Sequence, residues 1–347
     1  MNKFAKELQK EFGGNLTVAS DRHEEYKNIT WLDTGNFTLN KAINKKGLGL
    51  PTGNMVEFFG ASASGKSVIG LHCLKSTIDK GGIAVLIDAE GSLDTTLAKD
   101  IGIDLDQLLI IDPTVRDSDD ESPLTTEEVF QRTETIIKRV REQYGADQLL
   151  TIVWDSLGST NFPSDLEEGG PKETQGRPEK HIKHWIRRIR PLVNSGNVLW
   201  LIINQVYSVI SRIPTARDTR TPGGRAVGFH SNTRVEFILK EGKAGKVFDK
   251  NDLPIGARLH FKIFKNRVGP PWREGVIEFY FNEDGEPSID YYSGYLNYLV
   301  DRDAIKTGKG RVMIGDDSYR SRKVSGKYYQ SEFVEKMLDE HPELLKV

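Results

Sequence analysis

A single cysteine, Cys73, stands in 347 residues, no apolar run approaches the length of a membrane span, and the charges almost cancel. One cysteine excludes an intrachain disulfide, and it suits a reducing compartment. Cys73 falls among Val68, Ile69, Leu71 and Leu74, so it reads as a packed thiol rather than a reactive one. A membrane-crossing helix needs about 18 or more consecutive apolar residues. The first residues, Met1-Asn2-Lys3-Phe4-Ala5-Lys6-Glu7, lack the apolar core of an export signal. The expectation is therefore a soluble, cytoplasmic protein with no membrane partner. With 48 cations against 50 acids the net charge is −2. That gives no global pull on a polyanion, yet leaves room for a local basic stripe. Internal repeats and low-complexity segments are lacking too.

What is present is strand–helix alternation. Phe4, Leu8 and Phe12, four apart, predict a short N-terminal helix with one apolar stripe. A helix so short is marginal alone and must dock, on its own core or on a neighbouring subunit. From about Trp31 to Tyr291, apolar runs alternate with helical periodicity. Met55–Phe59, Ile83–Asp88, Leu149–Asp155 and Val198–Asn204 read as strands buried on both faces. Lys66–Asp79 reads as a helix ended by Gly81-Gly82. Thr125–Glu128 reads as a capping box that opens another helix. Beyond Gly256 the pattern changes to alternation (Leu259, Phe261, Ile263), with a turn at Glu283-Asp284-Gly285. The expected fold is α/β, a mostly parallel sheet with an antiparallel extension. The expected organisation is an N-terminal helical arm over residues 1–30, a core over 31–291, and a small α+β unit over 292–347.

Three motifs carry chemistry. Gly60-Ala61-Ser62-Ala63-Ser64-Gly65-Lys66-Ser67 fits G-x-x-x-x-G-K-[ST] in full, between a strand and an amphipathic helix. Its glycines let successive N–H groups face inward as an anion nest, and the helix adds its positive dipole end. Lys66 is placed to reach β- and γ-phosphates, and Ser67 to hold Mg²⁺. Asp155, closing an apolar strand, suits the magnesium shell. Glu90, just past the end of another strand, suits a general base, with Asp88 its competitor. Two basic segments complete the set. Lys172–Arg190 holds Lys172, Arg177, Lys180, Lys183, Arg187, Arg188 and Arg190 around Trp185. The stretch after Gln205 holds Val209, Ile210, Arg212, Arg217, Arg220 and Arg225. Cations there suit phosphates, and the apolar pair suits wedging between bases.

The order and spacing of these pieces resemble the RecA family of strand-exchange recombinases over nearly the whole chain. The resemblance rests on Thr34-Gly35 with Leu39-Asn40, Leu50-Pro51-Thr52-Gly53 and the phosphate loop. It continues through Ile87-Asp88-Ala89-Glu90 with Leu93-Asp94, Asp155-Ser156, Ile203-Asn204-Gln205, Pro222-Gly223-Gly224 and Phe264-Lys265-Asn266-Arg267. The compact form is similar to phage-type or divergent members. The resemblance implies a RecA-type core and an ATPase that uses Mg²⁺. It implies Glu90 as catalytic glutamate, Gln205 as γ-phosphate sensor, Asp94 in the nucleotide site, and Lys265 and Arg267 as cations that reach the neighbouring subunit's ATP. It places the two basic segments at the family's DNA-contacting loops. The implied partners are single- and double-stranded DNA, further copies in a head-to-tail filament, and a loader or single-strand-binding protein. Two departures stand out. Leu97 occupies the place of a tyrosine that stacks on adenine, and Gly228 that of a lysine near the subunit interface. The alternatives are a hexameric helicase on the same core fold and a regulatory paralogue that binds ATP without exchanging strands.

Overall fold

The computed structural model describes residues 3–13, 16, 29–44, 46–114, 123–163, 177–208, 219–249, 251–281, 287–308, 311–315, 317–320 and 329–347. Two compact units are present, residues 1–30 and residues 31–347. In the first, helix α1 (Lys3–Phe12) has the predicted span, and Phe4 and Phe12 are exposed on it.

The second unit opens with β1 (Trp31–Leu32), α2 (Phe37–Ile43) and β2 (Leu50–Pro51). Asn36 caps α2 by accepting from the Leu39 N–H. The sheet that positions the site uses β3 (Asn54–Gly60), β4 (Ile83–Asp88), β5 (Leu108–Ile111), β6 (Leu150–Asp155) and β7 (Val198–Gln205). A short hairpin follows, β8 (Tyr207–Ser208) and β9 (Thr219–Arg220), and then β10 (Thr233–Leu239), β11 (Lys246–Phe248), β12 (Pro254–Asn266), β13 (Glu274–Phe281) and β14 (Pro287–Ile289). The strand order is β14-β13-β12-β10-β3-β7-β6-β4-β5, with β11 on β12. From β10 through β5 every neighbour is parallel; β10 to β14 are antiparallel. This is the α/β fold with antiparallel extension that the sequence predicts. The glutamate–aspartate–glycine turn expected before β14 lies outside the described residues.

Helices cover both faces: α3 (Lys66–Ile78), α4 (Thr95–Ile101), α5 (Thr126–Tyr144), α6 (Arg177–Asn194) and α7 (Gly224–His230). The capping box forms, Thr125 bonding the Glu128 N–H and Glu128 bonding back; such a cap stabilises a helix by about 1 kcal/mol. Cys73 is fully buried, and burial pushes its thiol up, as a packed sulfhydryl requires. One core layer sets Phe58, Ile69, Leu74, Ile203, Phe237 and Phe261 on one face of the sheet. The other sets Phe130, Trp154, Ile186, Ile189, Trp200 and Ile202 on the opposite face. Trp185 stacks parallel to Phe130, ring centroids 6.1 Å apart, so it packs on this second layer.

Residues after β14 carry α8 (Tyr295–Val300), β15 (Lys306–Gly308), β16 (Arg311–Ile314), β17 (Asp317–Arg320) and α9 (Tyr329–Glu340). They gather their own apolar cluster around Tyr295, Leu299, Val312, Val334 and Met337, with Phe37 against it. No helix among the described residues is long and apolar enough to cross a membrane.

Candidate nucleotide site and its basic neighbour

The phosphate loop runs from the end of β3 to the start of α3. A Cβ at Gly60 would lie 2.1 Å from the Phe237 carbonyl oxygen, so only glycine lets the loop leave the sheet there. Gly65 takes φ +70° as the N-cap of α3, and a Cβ on it would meet the Phe279 ring at 2.8 Å. Lys66 is buried. Its ammonium donates to the carbonyls of Ala61 at 2.6 Å and Gly60 at 3.3 Å, and to Ser64 Oγ at 3.1 Å. Burial lowers its pKa, against the opposing charges of Asp155 and Glu90.

Parallel pairing sets the ends of β4, β6 and β7 side by side above the loop, Asp88 opposite Asp155 and Asp155 opposite Ile203. Three donors converge on one carboxylate oxygen, Oε1 of Glu90: Ser156 Oγ at 2.8 Å, Gln205 Nε2 at 2.9 Å and Ser159 Oγ at 3.1 Å. Burial alone would raise this carboxyl, but the three hydrogen bonds and the Lys66 charge together hold it below the usual range. Asp155 goes the other way. Burial raises it to about 6, the charges of Glu90 and Asp88 add to the rise, and a hydrogen bond from Ser67 opposes it. A buried carboxylate beside the hydroxyl at the loop's end is a donor set that fits a hard divalent cation. Asp88 accepts from the N–H groups of Ser92 and Leu93. Its carboxylate thus shapes the turn that carries Glu90.

These groups line one side of a cavity of about 300 Å³, with Ser62–Ser67, Glu90, Asp155 and Gln205 on it. The other side is apolar: Leu239, Leu259, Phe279, Phe281 and Pro287, supplied by the antiparallel extension. Asp94 is not among the lining residues. Its carboxylate caps α4 by accepting from Thr96 and Leu97 N–H, because that helix starts at the next residue. Leu97 packs against the core beneath.

Behind the loop lies a network that no sequence motif announces. Glu57, fully buried in β3, accepts from Arg234 Nε at 2.5 Å and from Asn204 Nδ2 at 3.0 Å. Arg234 lies over the Phe59 ring, and a Cβ at Gly228 would come within 2.7 Å of its guanidinium carbon. Gly228 is therefore the space that Arg234 fills. Asn204 also reaches the Pro222 carbonyl, so the strand end that carries Gln205 is tied to the segment before α7. Glu57 and Arg234 stand 177 residues apart; the one signal in the sequence is a lone Glu in an otherwise apolar strand.

The basic residues lie on several elements. Lys180 and the exposed Lys183 and Arg187 lie on α6 with half-buried Arg190, at spacings of three, four and three that make one helix face. Arg188, off that face, is held by Glu134 at 2.6 Å. Arg225 is exposed, but on the first turn of α7 rather than on a loop, because Gly223 in the left-handed region starts the helix there. It borders a larger cavity, about 810 Å³, with Phe229, Arg234 and Phe264. Arg177 opens α6 and Arg220 closes the β8–β9 hairpin. Lys172, Val209, Ile210, Arg212 and Arg217 lie outside the described residues. Lys265 donates to the carbonyls of Gly228 and Phe229 at the end of α7, at 3.1 and 2.7 Å. Burial, then the charges of Arg267, Arg234 and Arg190, bring it down to about 8. Neither Lys265 nor Arg267 lines the cavity above the phosphate loop.

A parallel α/β sheet that delivers a Gly-x₄-Gly-Lys-Ser loop beneath Glu90, Asp155 and Gln205 defines the class, a phosphate-loop protein. Within it, the family model for the RecA N-terminal domain matches residues 1–285. The chain is similar to the protein RecA of Campylobacter lari, 29% identical over 318 residues that cover 88% of this chain and 84% of that one. It is similar to the protein RecA of Citrifermentans bemidjiense, 25% identical over 342 residues, covering 97% and 89%. The protein RecA of Helicobacter pylori is 28% identical over 318 residues, covering 88% and 83%. The chain belongs to the RecA family.

Proposed function

We propose that this protein is an ATP-dependent DNA strand-exchange recombinase that assembles head-to-tail on single-stranded DNA. The observation that carries the reading is the Gln205–Glu90 contact. A side chain fit to feel a γ-phosphate touches the candidate base, and the β8–β9 hairpin that brackets the second basic segment begins two residues later. ATP bound on the loop would draw Lys66 off its carbonyl acceptors onto the β- and γ-phosphates, and Gln205 off Glu90. Glu90 would then be free to take a proton from the attacking water. Mg²⁺ held by Ser67 and Asp155 would supply charge neutralisation on the phosphates. Lys265 and Arg267, away from their own chain's loop cavity, suit a neighbour's nucleotide, and a heterologous contact of that kind builds open helices. In electron micrographs with ATP and single-stranded DNA, filaments are expected. Closed rings would favour the helicase alternative, and an absence of assembly the regulatory one.

Asp155 gives the site a pH dependence. Its folded pKa, about 6, lies above the ordinary 3.8. Keeping it ionised in the empty protein at neutral pH therefore costs about 3 kcal/mol of stability, a cost that vanishes as pH falls through 6 towards 4. A divalent cation needs the ionised form, so Mg²⁺-dependent nucleotide affinity should drop as pH falls below about 6. Titration of a fluorescent ATP analogue with Mg²⁺ between pH 5 and 7.5 checks this; a flat profile would remove Asp155 from the cation site.

DNA affinity should reside in part on α6. Replacing Lys180, Lys183 and Arg187 by Ala should weaken binding of every single-stranded sequence alike. It should also flatten the log–log salt slope by up to roughly 0.7 for each phosphate that is no longer neutralised. An unchanged slope in fluorescence anisotropy would take this face off the backbone.

A further inference from the structure

We propose that Glu57 and Asn204 are positioning residues that carry the state of the nucleotide cavity through the sheet to the larger cavity on its other face. The inference rests on the reading of Gln205 as the side chain that meets a γ-phosphate, and it holds whether or not the chain exchanges strands. Strand alternation supplies the crossing. Gln205 lies with Ile203 on the face of the nucleotide cavity, and Asn204 lies with Ile202 on the opposite one. The two are consecutive on β7, so a pull on Gln205 moves Asn204 as well.

Asn204 is placed to change partners. It is fully buried. Its Nδ2 donates to Glu57 Oε1 at 3.0 Å and, at the limit of a hydrogen bond, to the Pro222 carbonyl at 3.4 Å. Both partners only accept, so the amide nitrogen has to face them. Its Oδ1 is thereby turned to a place where no group among the described residues donates to it. A buried acceptor without a donor is unfavourable, so the arrangement in the empty protein is one that a modest pull on β7 can displace.

Glu57 and Arg234 are the fixed part. Glu57 is fully buried in β3 and accepts from Arg234 Nε at 2.5 Å, directly across from it on β10. The guanidinium lies over the Phe59 ring at 4.6 Å, and Phe59 meets Phe264 edge-on at 5.6 Å. A buried ion pair stays paired, because parting it leaves an uncompensated charge. One oxygen of Glu57 thus has a permanent partner and the other a removable one. Phe59, Arg234 and Phe264 wall the cavity of about 810 Å³, and so do Val206 and Thr221, the sequence neighbours of Gln205 and Pro222. Both ends of the Asn204 linkage therefore border that cavity. When a γ-phosphate draws Gln205 off Glu90, Asn204 withdraws from Glu57, and the carboxylate strengthens its bond to Arg234.

The test is NMR of the full chain, following the Arg234 Nε–H resonance, which is assigned by its loss in Arg234→Lys. A saturating non-hydrolysable ATP analogue with Mg²⁺ should move it downfield, the direction of a stronger hydrogen bond, and ADP should not. Asn204→Leu keeps the volume of the amide and removes its donor. In that variant the resonance should stand, without nucleotide, near the place to which the analogue brings it in the unmodified chain, and the analogue should move it no further. The analogue's own affinity should stay within about threefold, while the gain in single-strand affinity that it confers should fall by about tenfold, within the usual span of coupling between two sites. If the leucine variant does not fold, Asn204→Ser, which withdraws the amide by shortening the side chain, is measured in its place. An analogue that binds without moving the resonance overturns the relay alone, as does an equal shift with ADP or a shift undiminished in the variant. An analogue that does not bind overturns the nucleotide reading, and the relay with it.

Discussion

Lys66→Ala should lose ATP turnover by on the order of 10²–10³-fold or more, the effect of removing a fixed positive group from a transferring phosphoryl. The geometry explains why no neighbour substitutes. Among the described residues, Lys66 is the only cation that lines the cavity above the loop. Two other candidates, Lys265 and Arg267, sit at the far end of β12 beside α7. Without nucleotide the Lys66 ammonium spans two loop carbonyls and Ser64, so the variant also loses bonds that shape the loop. Nucleotide affinity should fall together with turnover. A thermal melt separates the two effects: the variant should still unfold cooperatively, because the strands and α3 behind the loop are packed independently of the ammonium. Turnover near that of the unmodified chain in a steady-state ATPase assay would remove the phosphate loop from the mechanism.

Glu90→Gln should separate binding from chemistry. The amide keeps the shape, and its oxygen still accepts from Ser156, Ser159 and Gln205, so ATP should bind and assembly should persist. Turnover should fall by on the order of 10²–10⁴-fold, the contribution of a positioned general base. Because its hydrogen bonds hold Glu90 below the usual carboxylate range, it is ionised throughout the neutral range. An acid limb near pH 6 in the rate profile then belongs to Asp155. If the variant retains more than a tenth of the rate, the base is elsewhere. Asp88 is a weak substitute, since its two oxygens already accept from Ser92 and Leu93.

The parts of the site legible in the sequence are those whose chemistry depends on neighbours along the chain. The loop's glycines, Lys66 and Ser67 form one contiguous motif. Asp155 and Gln205 each end an apolar run, so a parallel sheet has to bring them to one edge. What is not legible is what side chains do across long separations. The Glu57–Arg234–Asn204 network joins three strands and explains Gly228, which in the sequence is only a missing lysine. Ser159 donates to Glu90 from a turn with no periodic signature. Resemblance implies Asp94 in the nucleotide site; that its carboxylate caps α4 shows only once the helix start is known. Arg225 reads as a loop residue in the sequence, although Gly223 has already started a helix. Trp185 packs on Phe130, far away along the chain and on a different helix, a contact that no local pattern announces.

The measurement that tests the recombinase reading most directly is strand exchange itself. The protein is assembled with ATP and Mg²⁺ on a fluorescently labelled single strand, and a duplex of the same sequence is added. The account predicts a labelled heteroduplex and a displaced strand with the homologous duplex and neither with an unrelated one, because base pairing and not the protein supplies sequence recognition. No heteroduplex from protein that binds ATP and the single strand would contradict the account, and so would strand displacement that proceeds equally on the unrelated duplex.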